Sequence, residues 1–167
     1  MAQRWILAVT LLSCACTAPP GAAPTEDDVF AVEAAAVAGD REAIRALFDV
    51  RNRALGRAVA EGADMVLGTC ARLLPQVFLE ELVRNGSVWG GLGYVLCNAG
   101  IEFANDSAAQ ADELEARRAA LMTVTTPALL EARDACVSVL DEEIEKCRDA
   151  ARQDAAAGVR DQALDRR

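Results

Sequence analysis

No stretch of this chain alternates apolar and polar residues as a half-buried strand requires, and this constrains the fold more than any single motif. Apolar residues recur instead at helical spacing, and alanine, the strongest helix former, supplies 35 of the 167 residues. The fold class this predicts is all-α: an irregular, disulfide-stapled helical bundle of about six to seven helices. The alternative is a short α-solenoid-like stack, suggested by Ala38-Gly39-Asp40-Arg41-Glu42-Ala43-Ile44, which resembles an inter-helix turn of such a unit. Only one good copy occurs, whereas stacking needs at least about three.

Start and stop signals divide the chain. Thr25 with Asp28 forms a capping box before a first helix ending near Gly39, and Asp40 caps a second. In that second helix Ile44, Leu47, Phe48, Leu55 and Val59 trace one apolar stripe. Asp64 to Leu74 and Pro75 to Arg84 are two further helices, Pro75 suiting a first turn and Asn85-Gly86 a stop. Asn105 or Asp106 starts a charged helix to about Met122. Thr126-Pro127 starts a final long one reaching Ala157, before Gly158. The helical domain is thus 25–157, with 158–167 as a polar tail.

Four cysteines fall inside the domain: Cys70, Cys97, Cys136 and Cys147. In an exported chain an even set predicts two disulfides, with three possible connectivities. Cys136 and Cys147 lie eleven residues apart in one predicted helix, about 16 Å at 1.5 Å per residue, whereas bridged Cα atoms lie within about 7 Å. The expectation is that both face one side of the last helix and pair with Cys70 and Cys97. Buried free thiols are the plainer alternative. Zinc is not expected, because no closely spaced pair occurs among these four cysteines.

The segment Ser87 to Gly100, SVWGGLGYVLCNAG, is the most unusual in composition. Gly90, Gly91 and Gly93 each weaken a helix by about 1 kcal/mol relative to alanine, so close packing of a central apolar helix is the reading that accounts for them. The functional alternative is a mobile loop that offers Trp89 and Tyr94 to a partner protein. Neither a Walker A nor a dinucleotide fingerprint occurs. The acidic runs Asp141, Glu142, Glu143, Glu145 and Asp112, Glu113, Glu115 read as solvated helix faces, the former supported by Glu142 to Lys146 at i,i+4.

The chain has no histidine, which excludes Ser-His and Cys-His catalytic pairs and His-ligated metals. No catalytic residue, metal or cofactor is therefore expected. Seventeen basic residues face twenty-six acidic ones, a net charge of −9, with no basic cluster to meet phosphates. Nucleic acid is not an expected partner, and membrane association requires an anchor.

An anchor is written at the N-terminus. Met1 to Arg4 is a charged n-region and Trp5 to Leu12 an apolar h-region, too short for the roughly 20 residues of a membrane span. Leu11-Leu12-Ser13-Cys14 resembles the lipobox of bacterial lipoprotein precursors: leucine at −3, a small residue at −1, then the lipid-bearing cysteine. The resemblance covers about the first 25 residues. It implies a signal peptide over 1–13 and a lipid, palmitate included, on Cys14, with Cys16 the competing acceptor. Thr17 to Pro24 is rich in proline and alanine, so 14–24 reads as an extended tether. No aspartate follows either cysteine, which in this family implies delivery to the outer membrane, facing the periplasm. A soluble periplasmic or secreted protein cut after Ala15 is the alternative.

The functional expectation is a non-enzymatic, lipid-tethered envelope domain acting through contacts with an envelope protein. One alternative is a periplasmic enzyme or small-ligand binder using carboxylates with Tyr94 or Ser87, marked by a deep pocket with convergent polar groups. Another is a periplasmic inhibitor using the loop Ala99 to Asp106.

Overall fold

The computed structural model describes residues 22–86, 91–100, 103 and 106–164, with side chains as far as 156. Among these residues the chain is all helical. Seven α-helices follow one another: α1 Glu26–Val37, α2 Arg41–Arg53, α3 Arg57–Leu73, α4 Pro75–Asn85, α5 Leu92–Cys97, α6 Ser107–Met122 and α7 Leu130–Leu164. A short 3-10 turn, Pro127–Leu129, leads into α7.

Side chains at the helix starts supply partners for backbone N–H groups that have none within the helix. Thr25 N–H donates to Asp28 Oδ2 at 2.7 Å, Asp40 accepts from Glu42 and Ala43 N–H at 2.8 and 3.1 Å, and Asp106 accepts from Ala109 N–H at 2.9 Å. Pro75 occupies the first turn of α4, where its missing N–H costs nothing.

Four boundaries differ from expectation. α2 stops at Arg53, so Leu55 is 89% exposed and Val59 belongs to α3. The break lets the chain reverse: Arg53 donates to Ala22 O at 2.7 Å, and α3 begins at Arg57 after extended backbone at Ala54 and Gly56. α3 thus starts seven residues before Asp64. The described part of the glycine-rich segment forms only the six-residue α5. α7 runs through Gly158 to Leu164, since one interior glycine costs about 1 kcal/mol, too little to end a helix of that length.

α3 is the centre of the bundle. It packs against α1, α2, α4, α5 and α6 and buries Ala63, Val66, Leu67, Cys70 and Ala71. Phe48 of α2 meets Phe78 of α4 at a ring separation of 5.9 Å. A solenoid repeat touches only its neighbours, so a central helix with five partners makes this a bundle rather than the alternative stack. α6 and α7 form an antiparallel hairpin, shown by the pairings Arg118 with Asp141 and Glu115 with Arg148.

The expected double staple is not formed: Cys70, Cys97, Cys136 and Cys147 are all free thiols. Both connectivities required Cys70 to reach α7, yet no Cα of α3 comes within 8 Å of α7, beyond the reach of a disulfide. Cys136 and Cys147 lie on one uninterrupted helix. Cys97 belongs to α5, which does pack against α7, but its thiol is not bonded. Burial pushes the Cys70 and Cys97 thiols up to about 11 and Cys136 up to about 12, so these groups stay protonated and act as small apolar residues.

Candidate functional site

A six-residue helix cannot hold its own shape in water; two arginines hold α5 from opposite ends. Arg117 of α6, only 2% exposed, donates through Nη1 to Leu96 O at 2.8 Å and Asn98 O at 2.9 Å. Its Nε donates to Glu113 at 3.1 Å, and Glu113 also accepts from Arg72 at 2.9 Å. Burial lowers the Arg117 pKa and the hydrogen bond with Glu113 opposes that fall. At the other end Arg51 of α2 donates to Asp64 Oδ1 at 3.0 Å and to Gly91 O at 3.3 Å. Asp64 is buried on α3, and desolvation raises its pKa against the pull of Arg51.

Glycine makes this approach possible. A Cβ on Gly68 would lie 2.2 Å from Arg117 Nη1 and 2.9 Å from Val95 O, and one on Gly91 would lie 1.9 Å from Arg51 Nη2. Asn98 completes the mount, donating from Nδ2 to Glu61 O at 3.0 Å.

So held, α5 buries Leu92, Val95 and Leu96 and leaves Tyr94 74% exposed. Tyr94 forms one side of an open groove of about 1280 Å³ between α1, α3 and α5. The α1 wall carries Glu26, Phe30 and Glu33, spaced i, i+4 and i+7 on one helix face. Met65 and Glu61 line the α3 wall, and Asp64 and Arg51 lie deeper. Phe30 is 66% and Met65 39% exposed, so three large apolar side chains meet solvent in one depression. Glu61 is held by Arg57 at 2.6 Å.

Of the residues singled out in the sequence, Gly93, Tyr94 and Cys97 line this groove. Cys70, Cys136 and Cys147 lie in the core. Trp89, Ser87 and the lipid acceptors Cys14 and Cys16 lie outside the described residues, as does the signal peptide. The loop from Ala99 to Asp106 is described only in part: Ala99 is buried and Gly100 reaches the groove. Three members of the acidic runs, Glu113, Glu115 and Asp141, are tied across helices, and others pair within their own helix. Glu113 binds Arg72 and Arg117, Glu115 binds Arg148, and Lys146 bonds Glu143 at 2.8 Å rather than the expected Glu142.

Sequence reasoning passed over Phe30, Met65, Arg51, Asp64 and Arg117. Phe30 had a local signal, an aromatic flanked by Glu26 and Glu33 on one helix face. The two arginine mounts had none, because their partners lie 13 to 40 residues away in sequence. Comparison with family models, curated proteins and solved structures gives no match, so no relative's function comes to this chain.

Proposed function

We propose that this protein is a lipoprotein of the bacterial envelope, attached by Cys14 to the outer membrane and facing the periplasm, whose helical domain works by binding another envelope protein. The observation that carries the protein-contact reading is the groove between α1, α3 and α5, where Phe30, Met65 and Tyr94 stand exposed together, and the anchor rests on the lipobox resemblance of Leu11 to Cys14. Grouped exposed apolar side chains with polar rims mark interaction sites, and tyrosine is among the residues that most often anchor them. Tyr94 sits on a helix fixed at both ends, so little order is lost when it is covered. The segment 14–24 serves as the stalk that lets the groove reach a partner.

A photocrosslinking residue at Tyr94, in cells producing the full chain, tests this. The expected result is a discrete adduct with another protein in the membrane fraction, absent when the same residue replaces Glu131 on α7. No adduct from Tyr94, or equal trapping from both positions, would contradict it.

One observation favours a second reading. Asp64, a buried carboxylate with a raised pKa, lines the same groove as Tyr94, and perturbed acids in clefts are candidates for ligand chemistry. Arg51 already engages Asp64, so this reading requires that pair to open. A small ligand that protects Tyr94 from crosslinking and loses affinity in Asp64→Asn would support it.

A further inference from the structure

We infer that the occupant of the groove is a cationic amphipathic helical segment of the partner protein, a step that rests on the protein-contact reading above. Size is the first reason. Sites that enclose a small molecule usually measure about 300–1000 Å³, whereas this depression is about 1280 Å³ and open along one side. Three exposed apolar side chains on three different helices suit the helix-in-groove mode, in which anchors at i, i+3, i+4 and i+7 of the guest enter together.

Charge is the second reason. Of the carboxylates lining the groove, Glu61 is paired with Arg57 and Asp64 with Arg51. Glu26 and Glu33 make no ion pair among the described residues, and they stand either side of Phe30 on the wall that faces the guest. Seven residues of helix separate them by about 10 Å, a spacing that Lys or Arg one turn before and one turn after a central apolar residue would match. An anionic guest would meet two uncompensated carboxylates, which disfavours it. A neutral guest would leave both unanswered.

The test uses the full chain with Cys14→Ser and Cys16→Ser, so that no lipid interferes. The probe is a fluorescent helical peptide of about five turns, with leucine at i, i+3, i+4 and i+7 on one face and lysine on the other. A second peptide carries glutamate in place of every lysine. Anisotropy titration should show the lysine peptide binding at least about tenfold more tightly than the glutamate peptide. Phe30→Ala and Tyr94→Ala should each weaken it about tenfold. Glu26→Gln with Glu33→Gln should weaken it up to about fivefold and reduce its salt dependence. Circular dichroism establishes that each variant remains folded. Equal binding of the two peptides overturns the inference, as does loss of binding in Asp141→Asn, on the α7 surface outside the groove, comparable to that in the groove variants. If the lysine peptide fails to bind while Tyr94 still crosslinks a protein in cells, the cationic guest is wrong and the protein-contact reading stands. If Tyr94 crosslinks only within its own chain, both fall.

Discussion

Gly68 sits where a methyl group does not fit, between the Arg117 guanidinium and the Val95 carbonyl. Gly68→Ala must push α5 off α3 or tear Arg117 from its carbonyl partners. The expected cost is about 1–3 kcal/mol, the range for overpacking a filled interior. Urea denaturation measures it, and a variant as stable as the parent would mean that the contact yields freely. Asp64 makes a second prediction at this scale. Its folded pKa is raised, chiefly by burial, so the native state holds the proton more tightly than the unfolded chain does. Asp64 therefore adds stability below its ordinary value of 3.8 that is lost as pH rises through the raised folded value. Asp64→Asn should flatten the stability profile just above pH 3.8, and parallel profiles for parent and variant would contradict this. Neither feature was legible in the sequence. Gly68 reads as an ordinary helix interior, and the pairing of Asp64 with Arg51 exists only once α2 and α3 have folded back on each other.

Among the elements, α5 shows how tertiary contacts replace intrinsic propensity. Its six residues nucleate nothing alone, and its backbone ends are held by Arg51 and Arg117. Arg117→Met removes the donor to two carbonyls and should cost about 3 kcal/mol, on the scale of leaving buried acceptors without partners. Hydrogen exchange should then quicken in α5 before it quickens in α3, whereas unchanged α5 protection would show that packing of Val95 and Leu96 suffices. Elements announced by local chemistry could be read in advance: Thr25, Asp40, Asp106 and Pro75 mark four helix starts by side-chain caps or a fixed φ. The end of α2 could not, because Leu55 and Val59 continue the apolar spacing while the chain turns at Ala54 to Gly56. Tyr94 posed a related problem. An aromatic within an apolar, glycine-rich helix fits either a core or a contact residue, and only the position of α5 above α3 makes Tyr94 face the groove.

At the scale of the whole molecule, an acidic chain with sixteen arginines and one lysine is joined by ion pairs that cross from helix to helix. Glu81 of α4, 1% exposed, gathers Arg45 at 3.1 Å, Arg41 at 3.6 Å and Arg84 at 3.7 Å. The planar guanidinium fork suits such shared sites better than an ammonium group. Packing of α3 among five helices and these pairs hold the domain together, and the four domain cysteines contribute as apolar side chains. The all-α class was legible because periodicity and composition are local; the thiol state was not, since it depends on α4, α5 and α6 packing between α3 and α7. Tether and domain can be tested together by the intact mass of the protein recovered from cell membranes after thiol labelling in denaturant without reductant. A tethered, unstapled domain gives a chain beginning at Cys14, carrying the mass of the lipid and five labels, one on Cys16 and four on the domain cysteines. An unlipidated chain, or domain cysteines that take label only after reduction, would contradict it.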